Sequence, residues 1–403
     1  MATESLCPVC HSGNVTHIFS KPSMPKYNLE RHRNRECALA AQRGDLDYYL
    51  CLACGFAFNA AFDSADMDYA IDYESSRAYS GFFSAYLDRI CHDINQAWSA
   101  TNKCVVEVGC GDGQFLLKLR EKYHITGYGF DASFGTEHIQ HSYEDVHFIQ
   151  GLYGPERLSS LTDILILRHI LEHQKDPHLF LDPILATTTP MTRLYVEVPA
   201  WEWIVDHHQI HAFHYEHCSY FSQYALELAL RSHHFYADRI SFCFAGEYLQ
   251  YFGTRHGPFQ SRRARDNARK AVIQKTELFK RAVPKILEGL RSQLDALLPH
   301  AVLWGAAGKG TTLLNILDVG HGQLEYVVDS NPRRHNTFIP GTGQQVVAPE
   351  FLQELRPDYV LLTNSNYTAE ISSQLATMNV RAEIVPLDDL RRRLVAAVTS
   401  SRG

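Results

Sequence analysis

The sequence predicts an α/β protein in several parts, and three observations carry that expectation. From Lys103 to about Arg255, short apolar runs alternate with helical stretches; the alternation restarts at Ala301; and two Cys-x-x-Cys pairs fall within the first 54 residues. Strands that are apolar on both faces, separated by helices, mark a mostly parallel sheet covered on both sides. A chain of 403 residues is too long for one ordinary core. The expected division is a cysteine-rich module over 1–62, an α/β domain with a helical lead-in over 63–256, a helical linker over 257–300, and a second α/β domain over 301–403.

The elements follow in order. The first sixty residues show little regular periodicity. SGFFSAYLDRICHDINQAW has apolar positions at helical spacing. CVVEVGC, ITGYGF, VHFIQ, DILIL, RLYVEV and YLQYFGTR read as the strands of the first sheet. The stretch from Ser261 to Leu298 carries Val272, Leu278, Val283, Ile286, Leu290, Leu294 and Leu297 at helical spacing, one or two amphipathic helices with Pro284 as kink or break. AVLWGAAGKG, LEYVVDS, DYVLLTN and AEIVPL read as the strands of the second sheet, and the strand–glycine-loop–helix openings at 104–118 and 302–316 hint at duplicated architecture.

Composition narrows the class of function. A net charge of −7 argues against a nucleic-acid partner. No stretch approaches a membrane span and MATESLCPVC has no apolar signal core, so a cytoplasmic location is the default. There the ten cysteines are expected to stay reduced, with Cys37, Cys91, Cys104, Cys218 and Cys243 as small core residues. The sequence leaves the oligomeric state open, a monomer included.

Two motifs carry specific chemistry. Cys7-Pro-Val-Cys10 and Cys51-Leu-Ala-Cys54 each supply two thiolates from a tight turn, which together make a closed four-sulfur zinc site. A closed shell leaves no open position for substrate, so this zinc is expected to be structural. The second motif is Glu107-Val108-Gly109-Cys110-Gly111-Asp112-Gly113, a strand running into a Gly-x-Gly-x-Gly turn that opens a helix. Glycines there let the backbone pass close to a cofactor above a helix N-terminus. A dinucleotide fingerprint wants its third glycine where Gln114 stands. Asp131, twenty residues on, ends the second strand, where an acid accepts hydrogen bonds from ribose hydroxyls.

The pattern EVGCGDG resembles motif I of class I S-adenosylmethionine (SAM) methyltransferases, a Rossmann-like fold. That resemblance implies a cofactor site of Glu107, Gly109, Gly111, Gly113 and Asp131, with Leu167 to His173 near the methyl donor. The layout as a whole resembles the zinc-containing sugar C-methyltransferases: the cysteine pairs, EVGCGDG, YEHCSYFS at 215–222, GAAGKG, and Asp329-Ser-Asn-Pro332 followed by Pro340-Gly341. It spans nearly all of Cys7 to Leu387. It implies an N-terminal zinc module and a C-terminal Rossmann-like domain. The implied reaction is SAM-dependent methylation of C3 of a dTDP-linked 4-keto-deoxysugar. The implied active-site residues are Tyr73, His173, Glu216 and His217, with His217 as the base. His214 stands where the family has a tyrosine, and it joins these four as the fifth candidate active-site residue.

The histidines around YEHCSYFS bear on the chemistry directly. His207, His208, His211, His214 and His217 crowd into eleven residues. A metal site, an acid/base loop and a set of bystanders are all compatible with the crowding. The first three read as surface or satisfied core residues. His217 suits removal of a proton beside a keto group, since imidazole titrates near neutrality, and Glu216 is placed in sequence to fix its tautomer. Gly305-Ala-Ala-Gly308-Lys309-Gly310 is not a P-loop, but it resembles an anion-friendly turn with Lys309 available to a phosphate, or else a plain strand–helix turn. Two further readings stay open: methyl transfer to oxygen, nitrogen or a non-sugar carbon, and a non-catalytic scaffold that keeps the fold.

Overall fold

The computed structural model describes residues 6–388, except 68–71, 75, 136–142 and 258–261. Sixteen strands are described: β1 (Val15–Pro25), β2 (Arg43–Cys51), β3 (Ala57–Asn59), β4 (Cys104–Val108), β5 (Thr126–Asp131), β6 (Val146–Gln150), β7 (Ile164–Arg168), β8 (Arg193–Pro199), β9 (Ser219–Tyr220), β10 (Tyr236–Cys243), β11 (Tyr248–Thr254), β12 (Ala301–Trp304), β13 (Tyr326–Val328), β14 (Gln345–Val347), β15 (Tyr359–Leu362) and β16 (Glu383–Pro386). They form three sheets. Among the described residues no helix is long and apolar enough to cross a membrane.

The central sheet has the order β10-β11-β8-β7-β4-β5-β6. All its pairs are parallel except those made by β11, which runs antiparallel to both neighbours. Every residue of β4 and β7 is buried, which is why these strands read as unbroken apolar runs. The expected helix over the lead-in is Gly81–Trp98, capped by the Ser80 hydroxyl on the Phe83 N–H. The third sheet, β14-β13-β12-β15-β16, is wholly parallel. In both parallel sheets the order reverses at the first strand, β4 or β12, and the crevice beyond the carboxyl ends there is where such folds bind ligands. The two crevices face one cavity.

The hinted duplication extends to hydrogen bonds. Gly109 N–H donates to Phe130 O at 2.7 Å, and Gly305 N–H donates to Val328 O at 2.8 Å. Gly111 N–H donates to Asp131 Oδ2 at 2.8 Å, and Ala306 N–H donates to Asp329 Oδ2 at the same distance. In each half the acid ending the second strand steadies the glycine loop of the first.

Several expectations are corrected. The first sixty residues hold three strands, β1 to β3, whose alternation is masked by charged outward residues such as Arg43, Asp45 and Asp47. β10 and β14 are two more strands that the sequence pattern did not reveal. Of the two readings left open at Pro284, a break is excluded: Arg262–Leu297 is one run of 36 residues. Its partner stripe outweighs one lost backbone hydrogen bond, because Val272, Phe279, Val283, Ile286, Leu290 and Leu294 are all buried in a core shared with β1, β2 and β12. The helix therefore packs between the domains instead of merely linking them. Leu278 is not part of the stripe and is exposed, as is Cys37, expected in a core.

The first sheet is completed from outside the cysteine module. β9, inside the YEHCSYFS stretch, pairs with β3 in register Ala57↔Tyr220 and Phe58↔Ser219. The Tyr48 hydroxyl of β2 donates to the carbonyls of His214 at 2.8 Å and His217 at 2.6 Å. The module thus holds the backbone on which the histidines sit.

Candidate active site

A cavity of about 940 Å³ opens between the central and C-terminal sheets. At one end lie Gly109, Gly111 and Asp131; at the other, Gly305, Gly308 and Lys309. Between them stand Tyr73, His173, His214, Glu216 and His217. All five catalytic residues expected from the sequence, drawn from three separate segments, therefore meet in one space.

The glycine loop has φ of 79° at Gly109, 54° at Gly111 and 75° at Gly113, a region that disfavours any side chain. A Cβ on Gly109 would also stand 2.6 Å from Ile170. Asp131 Oδ1 accepts from Ser133 N–H and Oγ, which fixes the carboxylate at the cavity edge. Leu152 and Leu179, 86% and 74% exposed, add an apolar rim suited to a flat heterocycle. Two residues of the expected cofactor set do not line this space. Leu167 is fully buried in β7, and the cavity begins with the next residues, Arg168, His169 and Ile170. Gly113 serves the turn into the helix Gln114–Tyr123, close against Phe148.

Glu107 is 1% exposed and its Oε2 has no hydrogen-bond partner among the described residues, which leaves an acceptor for a cationic ligand group. Burial pushes its carboxyl up to about 8, with Arg168 at 3.9 Å pulling the other way. The folded chain therefore holds a proton that the unfolded chain releases near 4.5. Unfolding releases that proton, so rising pH favours the unfolded state throughout that window. Buried histidines act in the opposite direction below about pH 6.5, so we expect the effect in the comparison: Glu107→Gln should lose less stability than the wild type as pH rises from about 5 to 8, read from the denaturation midpoints of the two ligand-free proteins. An unchanged slope in the variant would refute this origin.

Beyond β7 lies a network that the sequence did not announce. His169 adopts φ 51° and its ring bridges two buried carboxylates, Glu172 Oε1 at 3.2 Å and Glu197 Oε1 at 2.9 Å. Burial alone would lower its pKa, but these two partners outweigh burial and raise it. Arg168 and the Tyr195 hydroxyl also bind Glu197, which is held well below the usual carboxylate range despite burial. The RH of ILILRHILEH was the available signal.

At three cavity histidines no carboxylate outweighs burial, and the shift is downward. Burial lowers His173, pushes His214 down to about 3, and takes His217 well below its ordinary value, with the neighbouring imidazoles adding to the effect on His217. The His217 ring lies 4.8 Å from that of His173 and 4.6 Å from that of His214, centroid to centroid. Glu216 does not orient His217, contrary to the sequence expectation. Its Oε2 accepts from Asn28 N–H at 2.9 Å, and the Tyr73 hydroxyl also hydrogen-bonds to it. Burial pushes this carboxyl up to about 7. His173 instead bonds to the Glu216 main chain. Glu172, His173 and His217 present ligand atoms within 4.8 Å of one another, the acidic partner coming from a distant segment. Of the expected bystanders, His207 is exposed and stacks on Trp203, while His211 is buried and bonds to Thr363 O.

Lys309 pairs with Glu247 Oε1 and lies over the Trp203 ring at 4.7 Å. Glu247 Oε2 accepts from Asn364, so one carboxylate of the central domain ties down two C-terminal loops.

Distant from the cavity, Cys7, Cys10, Cys51 and Cys54 bring their sulfurs within 4.8 Å of one another. Cys7 and Cys54 are 3.6 Å apart, and Cys10 and Cys51 3.4 Å. A tetrahedron of thiolates at a zinc–sulfur distance of about 2.3 Å has edges of about 3.8 Å, so the donor set fits that ion.

The sheet order, the glycine loop and the acid of β5 define the class: a class I methyltransferase fold joined to a second Rossmann-like domain. Residues 82–238 match the family described as "Methyltransferase domain", and residues 266–385 match "C-methyltransferase C-terminal domain". The two matches lie one after the other in this chain, a methyltransferase domain followed by a domain of the kind found at the C-terminus of C-methyltransferases. A similar curated protein is the C-methyltransferase NovU of Streptomyces niveus, 24% identical over 222 residues. That match takes in 51% of each chain, so the chain spans about half the length of this relative. Among solved structures, magnesium protoporphyrin IX methyltransferase of Synechocystis PCC 6803 with bound SAH is similar, at 12% identity and a TM-score of 0.35 over 47% of this chain and 91% of the other. The 1,6-didemethyltoxoflavin-N1-methyltransferase of Burkholderia thailandensis gives 16% identity and a TM-score of 0.33 over 49% and 95%.

Proposed function

We propose that the protein is a SAM-dependent C-methyltransferase whose acceptor is a carbon beside a carbonyl, C3 of a nucleotide-linked 4-keto-deoxysugar. The single observation that carries this reading is the shared cavity, in which the glycine loop and Asp131 face three neutral imidazoles and a second glycine loop. Asp131 and the backbone at Gly109 and Gly111 would hold the cofactor, with Glu107 toward its amino group. Bound there, SAM would supply an electrophilic methyl group and leave as the neutral thioether, its sulfur keeping the electron pair of the broken sulfur–methyl bond.

The chain's own residues do the rest. His217 removes the acceptor proton, and burial keeps it in the unprotonated form a base requires. The electron pair of the broken C–H bond spreads onto the neighbouring carbonyl oxygen, and the carbon then takes the methyl group. Tyr73 and Glu216 orient the sugar from the opposite wall. Closure of the cavity by both domains excludes water and holds the reacting groups in line. The C-terminal loop at Gly305 to Lys309 is proposed to hold the nucleotide diphosphate, for which Lys309 would exchange Glu247 for phosphate. Zinc in the cysteine module is structural in this reading.

The test combines two measurements on a panel of nucleotide-linked keto sugars. Deuterium exchange at C3 without SAM is expected for the true acceptor, and mass spectrometry with SAM should find the methylated product. Turnover without C3 exchange would move the reaction to an oxygen or nitrogen acceptor. SAM binding with methylation of none of the panel would sink the sugar reading.

A further inference from the structure

Two hydrogen-bonding groups converge on one nitrogen of His214. Thr312 Oγ1 lies 2.8 Å from its Nδ1, and the Asn28 side-chain amide donates to the same atom. The Asn28 amide also donates to Thr312 Oγ1 at 2.9 Å. An amide N–H only donates, so Nδ1 is the accepting, unprotonated nitrogen. The Thr312 hydroxyl accepts the Asn28 amide on a lone pair, and the single lone pair of Nδ1 is filled by one of these two donors. A neutral imidazole in this setting carries its one proton on Nε2. Burial is consistent with the neutral ring, since His214 is 6% exposed.

The other side of the ring faces the cavity. Among the described residues no protein group bonds Nε2, and His214 forms part of the cavity wall. Its Cε1 corner stands 3.6 Å from where a Cβ on Gly308 would sit, so the C-terminal glycine loop leaves room beside the ring. The His217 ring is 4.6 Å away. A fixed N–H donor thus looks into the same space as the ring that takes the acceptor proton.

We infer that His214 is a catalytic hydrogen-bond donor, its Nε2–H binding the oxygen on which charge gathers as the adjacent carbon loses its proton. This rests on the C-methylation reading above. In that step the acceptor C–H bond breaks, its proton passes to His217, and its electron pair moves onto the carbonyl oxygen. His214 keeps its own proton throughout and contributes by electrostatic stabilisation of the oxyanion. A neutral imidazole is able to do this, because its N–H polarises a carbonyl without giving up the proton. Asn28 and Thr312, from the cysteine module and the C-terminal domain, are the positioning residues that choose the tautomer.

The experiment uses the full-length, zinc-loaded protein and a nucleotide-linked 4-keto sugar that the wild type exchanges, with SAM left out. His214→Ala is expected to slow deuterium exchange at the acceptor carbon about 10²- to 10³-fold. SAM affinity and zinc content should stay as in the wild type, which reports that the fold is intact. His214→Tyr, which restores a single donor, is expected to recover part of the loss. Asn28→Asp, which replaces the donor on Nδ1 by an acceptor, should slow exchange although His214 is present. Nitrogen-15 NMR of labelled histidines is expected to find His214 neutral with its proton on Nε2 between about pH 5 and 8. Wild-type exchange in His214→Ala, or a proton on Nδ1, would overturn the inference. A wild type that exchanges no keto sugar defeats the C-methylation reading and the catalytic role with it, and the NMR tautomer still decides the donor assignment.

Discussion

Replacing Cys51 by serine is expected to strip the protein of zinc and abolish its activity, although the residue does not line the cavity. Cys51 ends β2, and the turn to β3 is closed by Gly55 N–H donating to Cys51 O at 2.8 Å. β3 in turn pairs with β9, and Asn59 N–H donates to Cys218 O at 2.9 Å, one residue beyond His217. Loss of one thiolate opens the tetrahedron. Structural zinc sites contribute about 10–16 kcal/mol in small peptides, as much as the whole stability of an ordinary domain. The module is therefore expected to unfold locally and release the backbone that carries His214 and His217. Metal analysis should fall from about one zinc per chain to almost none, and hydrogen exchange at β2, β3 and β9 should accelerate together. Full activity in zinc-free Cys51→Ser would refute the structural role.

Replacing His217 by alanine is expected to lower kcat by about 10²- to 10⁴-fold with little change in SAM affinity. The reason is geometric as well as electrostatic. His217 is the ring flanked on both sides, by His173 and by His214, and burial with those neighbours keeps it unprotonated. Calorimetry with SAM should give a dissociation constant within about twofold of wild type, because the proposed cofactor contacts come from the glycine loop and Asp131 and none from His217. His207→Ala is the control: its ring is exposed against Trp203, and activity should stay within about twofold. Equal loss in both variants would mean that the effect comes from the histidine-rich segment as a whole and not from the base.

How far the sequence reached is clearest residue by residue. The glycine loop, Asp131 and the cysteine pairs were legible because each imposes a local demand: a left-handed backbone, an acid at a strand end, two thiols on a turn. The helix Arg262–Leu297 was legible by its stripe, but its continuity through Pro284 was not, because packing on both domains compensates a local cost. Leu167 illustrates the limit of one residue in register. The strand is right, yet the side chain faces the core and the cavity starts at Arg168.

Partnership between distant segments was illegible throughout. Glu216 follows His214 closely in sequence but bonds to Asn28 and Tyr73, and Glu172 approaches His217 from a different strand end. The sequence by itself determined the two α/β domains and the four-sulfur module, which follow from periodicity and backbone stereochemistry acting over a few residues. The residues that meet in the cavity were implied by the family resemblance and not by any local pattern. Only the tertiary structure decided which nitrogen of His214 accepts, which carboxylates raise the pKa of His169, and that β9 rests on the cysteine module. Hydrogen bonds and burial between segments tens to hundreds of residues apart set those, and no local pattern encodes them.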